Sequence, residues 1–296
     1  MPNPPPETMA TPAEPGVRIV EVAPRDGLQN HARAFSTQAK IAFIDTLSGS
    51  GLPVIEAASF VNPTAVPLMA DAVEVMQGIE RANGVRYIAL VPNTKGLDRA
   101  IAAGVDSVAV FASASETFSQ RHINCSVAES LERFSPVFTR AREKGFWVRG
   151  YISMAFNCPF EGEIDPSSTA ELAMKLLELG SNEICLADTI GTATVEQTAT
   201  TIDATLPLVP ADRLALHMHD TYGKAVHNID VAYEQGIRVF DAAAGGLGGC
   251  PFAPGAAGNL ATERLIEHLD TRGISHGVEL AKVRQAIADL LASPAP

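Results

Sequence analysis

From Val17 onward, short β-branched runs alternate with longer segments of helical period, and this alternation constrains the fold more than any other feature. It is the pattern of repeated strand-helix units around a parallel sheet. Candidate strands are Arg18 to Val22, Val54 to Ala58, Arg86 to Val91, Ser107 to Phe111, Trp147 to Ser153, Glu183 to Ala187, Leu214 to Met218 and Arg238 to Ala242. Between them, Thr37 to Ser50 places Ile41, Ile44 and Leu47 on one helical face, with Ser36 or Thr37 as its cap. Ala170 to Leu179 does the same with Leu172, Leu176 and Leu179. Eight such units predict an α/β fold of the (β/α)8 TIM barrel type, a single domain over 17–296 with an extra C-terminal helix and a disordered Pro-rich tail over 1–16. Pro24, Pro63, Pro92, Pro159, Gly191 and Gly223 punctuate the connections. An open doubly wound sheet is the rival, but the first strand is followed by APRDGLQN rather than a glycine-rich phosphate turn.

With 34 acidic and 22 basic residues, the formal net charge is -12, which argues against nucleic-acid and anionic-membrane partners. No apolar run is long enough to span a bilayer, and neither terminus carries a recognisable address. The four cysteines, Cys125, Cys158, Cys185 and Cys250, are too scattered for a disulfide framework or a paired zinc site. A reducing cytoplasm is the expected setting.

In a barrel of this type, chemistry collects where strands end and loops begin. Polar residues gather there: Glu21, Arg25 and Asp26 after the first strand, Glu56 and Ser59 after the second, Asp188 and Thr189 after the sixth, and His217, His219 and Asp220 at the seventh. His217-Met-His219 is the sharpest signal, because residues i and i+2 of a strand face the same way and can reach one ion. Two histidines that merely satisfy backbone groups are the plain alternative. Asp26 approaches the same place across the first-to-eighth-strand seam, and a carboxylate with two imidazoles suits Mg2+, Mn2+ or a similar divalent ion. Arg25 beside it reads either as a surface ion pair or as a fixed cation facing a developing oxyanion. The segment GGLGGCPFAPGAAGN, residues 245–259, is long enough to act as a lid, with Cys250 as a thiol able to move a proton. Asn259 at its end reads either as a ligand or as a helix N-cap. The other three cysteines are expected to serve packing.

Taken together, VEVAPRDGLQN, EAASFVNP, RGYISMAFNCPFEGEIDP, CLADTIGTATVEQ, LHMHDTYGKAVHN and GGLGGCPFAPGAAGNLATE resemble the 3-hydroxy-3-methylglutaryl-CoA lyase family, over about Val17 to Val278. The resemblance implies divalent-metal-dependent cleavage of 3-hydroxy-3-methylglutaryl-CoA to acetyl-CoA and acetoacetate. It implies metal ligation by Asp26, His217, His219 and Asn259, charge stabilisation of a thioester enolate by Arg25, and proton transfer involving Cys250. Asp26 is also a candidate base. Glu56 and Asp188 match further catalytic positions, and Gln29 joins Arg25 at the substrate. An acyl-CoA substrate and a homodimer or higher homo-oligomer follow from the same likeness. The chain departs from the family's usual residues at His31, Ala32, Thr64, Ala65 and Leu68, and again at Met154 and Asn157. Smaller or less polar side chains at the mouth predict room for a bulkier acyl branch, so another 3-hydroxy-3-alkylglutaryl-CoA or citramalyl-CoA is the alternative substrate.

Overall fold

A computed structural model describes residues 16–248 and 258–295. Eight parallel strands close on themselves: β1 (Arg18–Glu21), β2 (Val54–Ser59), β3 (Arg86–Leu90), β4 (Ser107–Ser113), β5 (Trp147–Ser153), β8 (Glu183–Asp188), β9 (Leu214–Met218) and β10 (Val239–Ala242). A two-stranded antiparallel hairpin, β6 (Asn157–Cys158) and β7 (Gly162–Glu163), sits in the loop after β5. The expected TIM barrel is thus present, and the seam closes where β1 pairs with β10 on one side and β2 on the other.

The barrel strands are buried on both faces, as expected of a parallel sheet wrapped in helices. Around them lie α1 (Thr37–Ser48), α2 (Ala72–Gly78), α3 (Thr94–Ala102), α4 (Glu116–Ile123), α5 (Val127–Glu143), α6 (Pro166–Leu179), α7 (Val195–Thr205), α8 (Ala225–Glu234), α9 (Thr262–Thr271) and α10 (Leu280–Ala292). Ser36, not Thr37, caps α1 by accepting the Ala39 N–H at 3.2 Å. α6 begins four residues before its expected start, since Asp165 caps it and Pro166 occupies its first turn, where a missing N–H costs nothing. α10 packs against α1 beside the last barrel helix and is the expected extra C-terminal helix. The tail expected over 1–16 lies, apart from Gly16, outside the described residues.

One strand end differs from expectation in a way that bears on the site. Val22 leaves β1 because the carbonyl of Val22 accepts from Arg25, Asp26 and Gly27 N–H groups, making one wide π-helical turn over Ala23–Gly27. Such turns redirect side chains that a strand or α-helix would send elsewhere. Here the turn brings Arg25 and Asp26 over the barrel mouth. Gly27 within it has no room for a side chain, since a Cβ there would lie 2.8 Å from Leu247 Cβ. Arg238 precedes β10 rather than joining it.

Candidate metal centre and active site

The turn after β1, the end of β9 and the loop before α9 deliver four side chains to one point. Asp26, His217 and His219 each offer a ligand atom, and these atoms all lie within 4.8 Å of one another, a possible metal-binding triad. Asn259 pairs with His219 through an isolated antiparallel bridge and donates its amide to Asp26 Oδ2 at 2.8 Å and to the Leu247 carbonyl at 3.0 Å. It is not the N-cap of α9, a position held by Ala261, so its side chain is free to face the site.

Two buried atoms in this group have no partner among the described residues: His219 Nδ1 and Asn259 Oδ1. Buried polar atoms are ordinarily satisfied, and two orphaned acceptors beside a carboxylate fit a cation. The donor set of carboxylate, imidazole and amide oxygen suits a divalent ion of hard or borderline type.

The electrostatics agree. Burial opposes the Asp26 charge, but Arg25, His217 and His219 together hold its carboxyl well below the usual range. Asp26 is therefore anionic, the state ligation needs. Burial, then the neighbouring His217, pushes His219 down to about 4, so it is neutral. His217 feels the same burial but is lifted above its ordinary value by the Asp241 hydrogen bond and charge, with Asp26 adding to it.

Arg25 is buried and forks, with Nη1 2.5 Å from Asp26 Oδ1 and Nη2 2.7 Å from Glu56 Oε2. The expectation of a mere surface ion pair therefore fails. Gln29 donates to Asp26 Oδ1 at 3.2 Å. Glu56, raised above its ordinary value by burial despite Arg25, also accepts from Tyr151 Oη at 3.1 Å. Asp188 is placed differently from the others. Its carboxylate accepts the Thr192 and Ala193 N–H groups at 3.1 and 3.0 Å, bracing its own loop, and burial raises it to about 6. Cys250 lies outside the described residues.

Sequence reasoning missed a buried polar chain beneath this site. Arg149 donates to Tyr151 Oη at 2.8 Å and to both oxygens of Asp241 at 2.6 and 3.2 Å, and Asp241 Oδ2 lies 3.2 Å from His217 Nδ1. Arg149 thus joins β5 to β10, and the Tyr151–Glu56 bond joins β5 to β2, neither of them its neighbour, so the side chains cross the barrel lumen. The available signal was the i, i+2 spacing of Arg149 and Tyr151 inside a strand that should otherwise be apolar. Glu21, also buried, ties the end of β1 to the segment after its neighbour β10 and to the start of α9. It accepts from Ala23 N, Ala244 N and Thr262 Oγ1 at 2.8, 2.9 and 2.7 Å.

Of the departures at the mouth, Ala32, Thr64 and Ala65 are exposed and Leu68 and His31 half-buried. The His31 ring packs on Phe35 and its Nδ1 accepts the Arg33 N–H. Met154 takes a left-handed backbone with φ of 55° at the end of β5, and its N–H donates to Thr189 Oγ1. Among the described residues, no helix is long and apolar enough to cross a membrane.

Comparison with known proteins agrees with this geometry. The HMGL-like family model matches residues 16–290. A cytoplasmic 3-hydroxy-3-methylglutaryl-CoA lyase of Danio rerio is 52% identical over 91% of this chain and 81% of its own. The crystal structure of an HMG-CoA lyase from Brucella melitensis superposes with a TM-score of 0.91 at 51% identity, covering 93% of this chain and 98% of its own. An HMG-CoA lyase from Acinetobacter baumannii, solved with coenzyme A and 3-methylmalate, gives 0.88 at 38% identity, over 95% and 92% of the two chains. With its barrel and nearly its whole length in common with these proteins, the chain belongs to the HMGL-like family.

Proposed function

We propose that this protein is a carbon-carbon lyase that splits 3-hydroxy-3-methylglutaryl-CoA into acetyl-CoA and acetoacetate. The observation that carries the reading is the convergence of Asp26, His217 and His219 beside the buried Arg25 fork. Asp26, His217, His219 and Asn259 would hold Mg2+ or Mn2+, which when bound makes a neighbouring hydroxyl more acidic.

The cleavage is a retro-Claisen step. A base at the barrel mouth takes the proton of the tertiary hydroxyl, the oxygen becomes the ketone of acetoacetate, and the bond to the carbon next to the thioester breaks. The electron pair moves into the thioester enolate, and that carbon then takes a proton to become the acetyl methyl. Arg25 is a permanent cation, its charge favoured further by Glu56 and Asp26 although burial opposes it, and it can offer N–H groups to the enolate oxygen. Glu56 and Tyr151 keep its planar head in place. The low proton affinity of Asp26, and the engagement of its oxygens by Arg25, Gln29 and Asn259, favour ligation over service as the base. Cys250 is the candidate donor to carbon on sequence grounds.

Cytoplasmic residence and a homodimer or higher homo-oligomer belong to the same reading. The first is supported by three free, buried cysteines, Cys125, Cys158 and Cys185. The test is direct. Purified protein with Mg2+ or Mn2+ and a thiol reductant is given 3-hydroxy-3-methylglutaryl-CoA and, in parallel, longer-branched analogues and citramalyl-CoA. Acetoacetate released from the first at the highest kcat/KM is the expected result. Product from an analogue alone would transfer the reading to that substrate.

A further inference from the structure

The two imidazoles of the proposed centre are not equivalently held. His219 Nδ1 is buried without a partner among the described residues, whereas His217 Nδ1 faces Asp241 Oδ2 at 3.2 Å. Asp241 and His217 are direct partners in the register of β10 and β9, so their side chains leave the sheet on the same side. Asp241 is 1% exposed and is not one of the clustered ligand groups. Its oxygens are already committed: Oδ1 to Arg149 Nη2 at 2.6 Å, Oδ2 to Arg149 Nη1 at 3.2 Å and to the Cys185 thiol at 3.6 Å.

We propose that Asp241 is a positioning residue for the cation site: it holds His217 with Nδ1 protonated, so that Nε2 presents its lone pair to the ion, and Arg149 holds Asp241. This rests on the metal-dependent reading above. A carboxylate acting only as an acceptor can receive a proton-bearing nitrogen and cannot donate to a bare one, so it selects a single neutral tautomer. Orienting partners of this kind change metal affinity by about 10- to 100-fold when replaced. The fork of Arg149 holds the buried carboxylate in its charged form and in place. Among the described residues His219 has no such partner, and only its backbone is tied, through the bridge to Asn259.

The test measures Mn2+ affinity by calorimetry on metal-stripped full-length protein, comparing wild type, Asp241→Asn, His217→Ala and the double variant. An asparagine keeps the shape but can turn an N–H toward Nδ1, which favours the wrong tautomer. Asp241→Asn is expected to weaken Mn2+ binding by about 10- to 100-fold, with less than about twofold further loss once His217 is already alanine. An affinity within about twofold of wild type, or losses that simply multiply in the double variant, overturns the assignment. Because a buried Arg149 short of its partner can unfold the variant, a second reading uses wild type alone. Nitrogen-15 shifts of the Mg2+-saturated protein should show His217 protonated at Nδ1 and bare at Nε2, and the opposite tautomer overturns the proposal. Wild type that binds no Mn2+ would overturn the metal-dependent reading together with this one, whereas wild-type binding with an unmoved Asp241→Asn overturns this one alone.

Discussion

Asn259 gives its amide to Asp26 Oδ2 at 2.8 Å while its own carbonyl oxygen stays buried and, among the described residues, unpaired, so the pair is a neutral donor braced on an anion with one acceptor to spare. Replacing the amide by a carboxylate keeps the size and reverses that balance. Two like charges about 3 Å apart repel by roughly 5 kcal/mol at an effective dielectric near 20, relieved in part by protonation of one. Asn259→Asp is therefore expected to lower the melting temperature of the metal-stripped protein by at least about 4 °C, on a scale of about 2–4 °C per kcal/mol for a chain of this size. Saturating Mn2+ should restore more stability to the variant than to wild type, because the ion meets two anions. Calorimetric melting with and without Mn2+ reads both effects, and an unchanged metal-free melting point would remove Asn259 from contact with Asp26.

Arg25→Lys separates charge from geometry. The planar guanidinium reaches Asp26 and Glu56 at once, and the compact, tetrahedral ammonium of a lysine keeps the charge but cannot reproduce that fork. Turnover of 3-hydroxy-3-methylglutaryl-CoA should fall by about 10²- to 10³-fold, the usual loss when one aligned oxyanion donor is removed. Steady-state assay of acetyl-CoA release checks this; a rate within about twofold of the parent would deny Arg25 the role.

Glu21 gives the pH dependence of stability. Burial raises it from 4.5 to about 7, its three hydrogen bonds only partly opposing that. Its folded pKa lies above the unfolded one, so its contribution is fully present below pH 4.5 and is lost as pH rises through about 7. The loss amounts to roughly 3 kcal/mol. Glu21→Gln retains an acceptor for Ala23 and Ala244 and can pair its amide with the Thr262 hydroxyl. The variant should match wild type near pH 4.5 and exceed it at pH 8, as read from denaturant unfolding across that range. A difference that does not vary with pH would place the Glu21 titration elsewhere.

The barrel was legible because its strands are nearly continuous apolar runs of fixed length between helical segments, and β5 and β9 begin and end where expected. The metal-binding triad was legible for a related reason: His217 and His219 share a strand period, and Asp26 follows the strand that neighbours β10. What resisted reading depends on contacts between distant strands. Arg149, Tyr151 and Asp241 look like misplaced polar residues until closure of the sheet sets them across one lumen. The role of Asn259 was equally open, because a cap and a ligand look alike until the start of α9 is known to lie at Thr262. The wide turn that lifts Arg25 and Asp26 has no period for a pattern to detect.

Gly248 tests how closely the site depends on the backbone around it. Its φ of 105° is strained for any other residue, and a Cβ there would lie 2.6 Å from Asn259 Nδ2. Gly223, in the loop after β9, also has a positive φ, 73°, but open space where its Cβ would be. Both substitutions to alanine carry the left-handed backbone cost of about 1–2 kcal/mol. Only Gly248→Ala must also push the Asn259 amide away from Asp26, because the opposing atom is the side-chain nitrogen that already donates to both Asp26 and the Leu247 carbonyl. It should weaken Mn2+ binding about tenfold, in line with loss of a supporting contact, while Gly223→Ala leaves that affinity unchanged. Calorimetric titration of the two variants side by side decides the matter, and equal affinities would mean that Asn259 can shift without cost to the centre it supports.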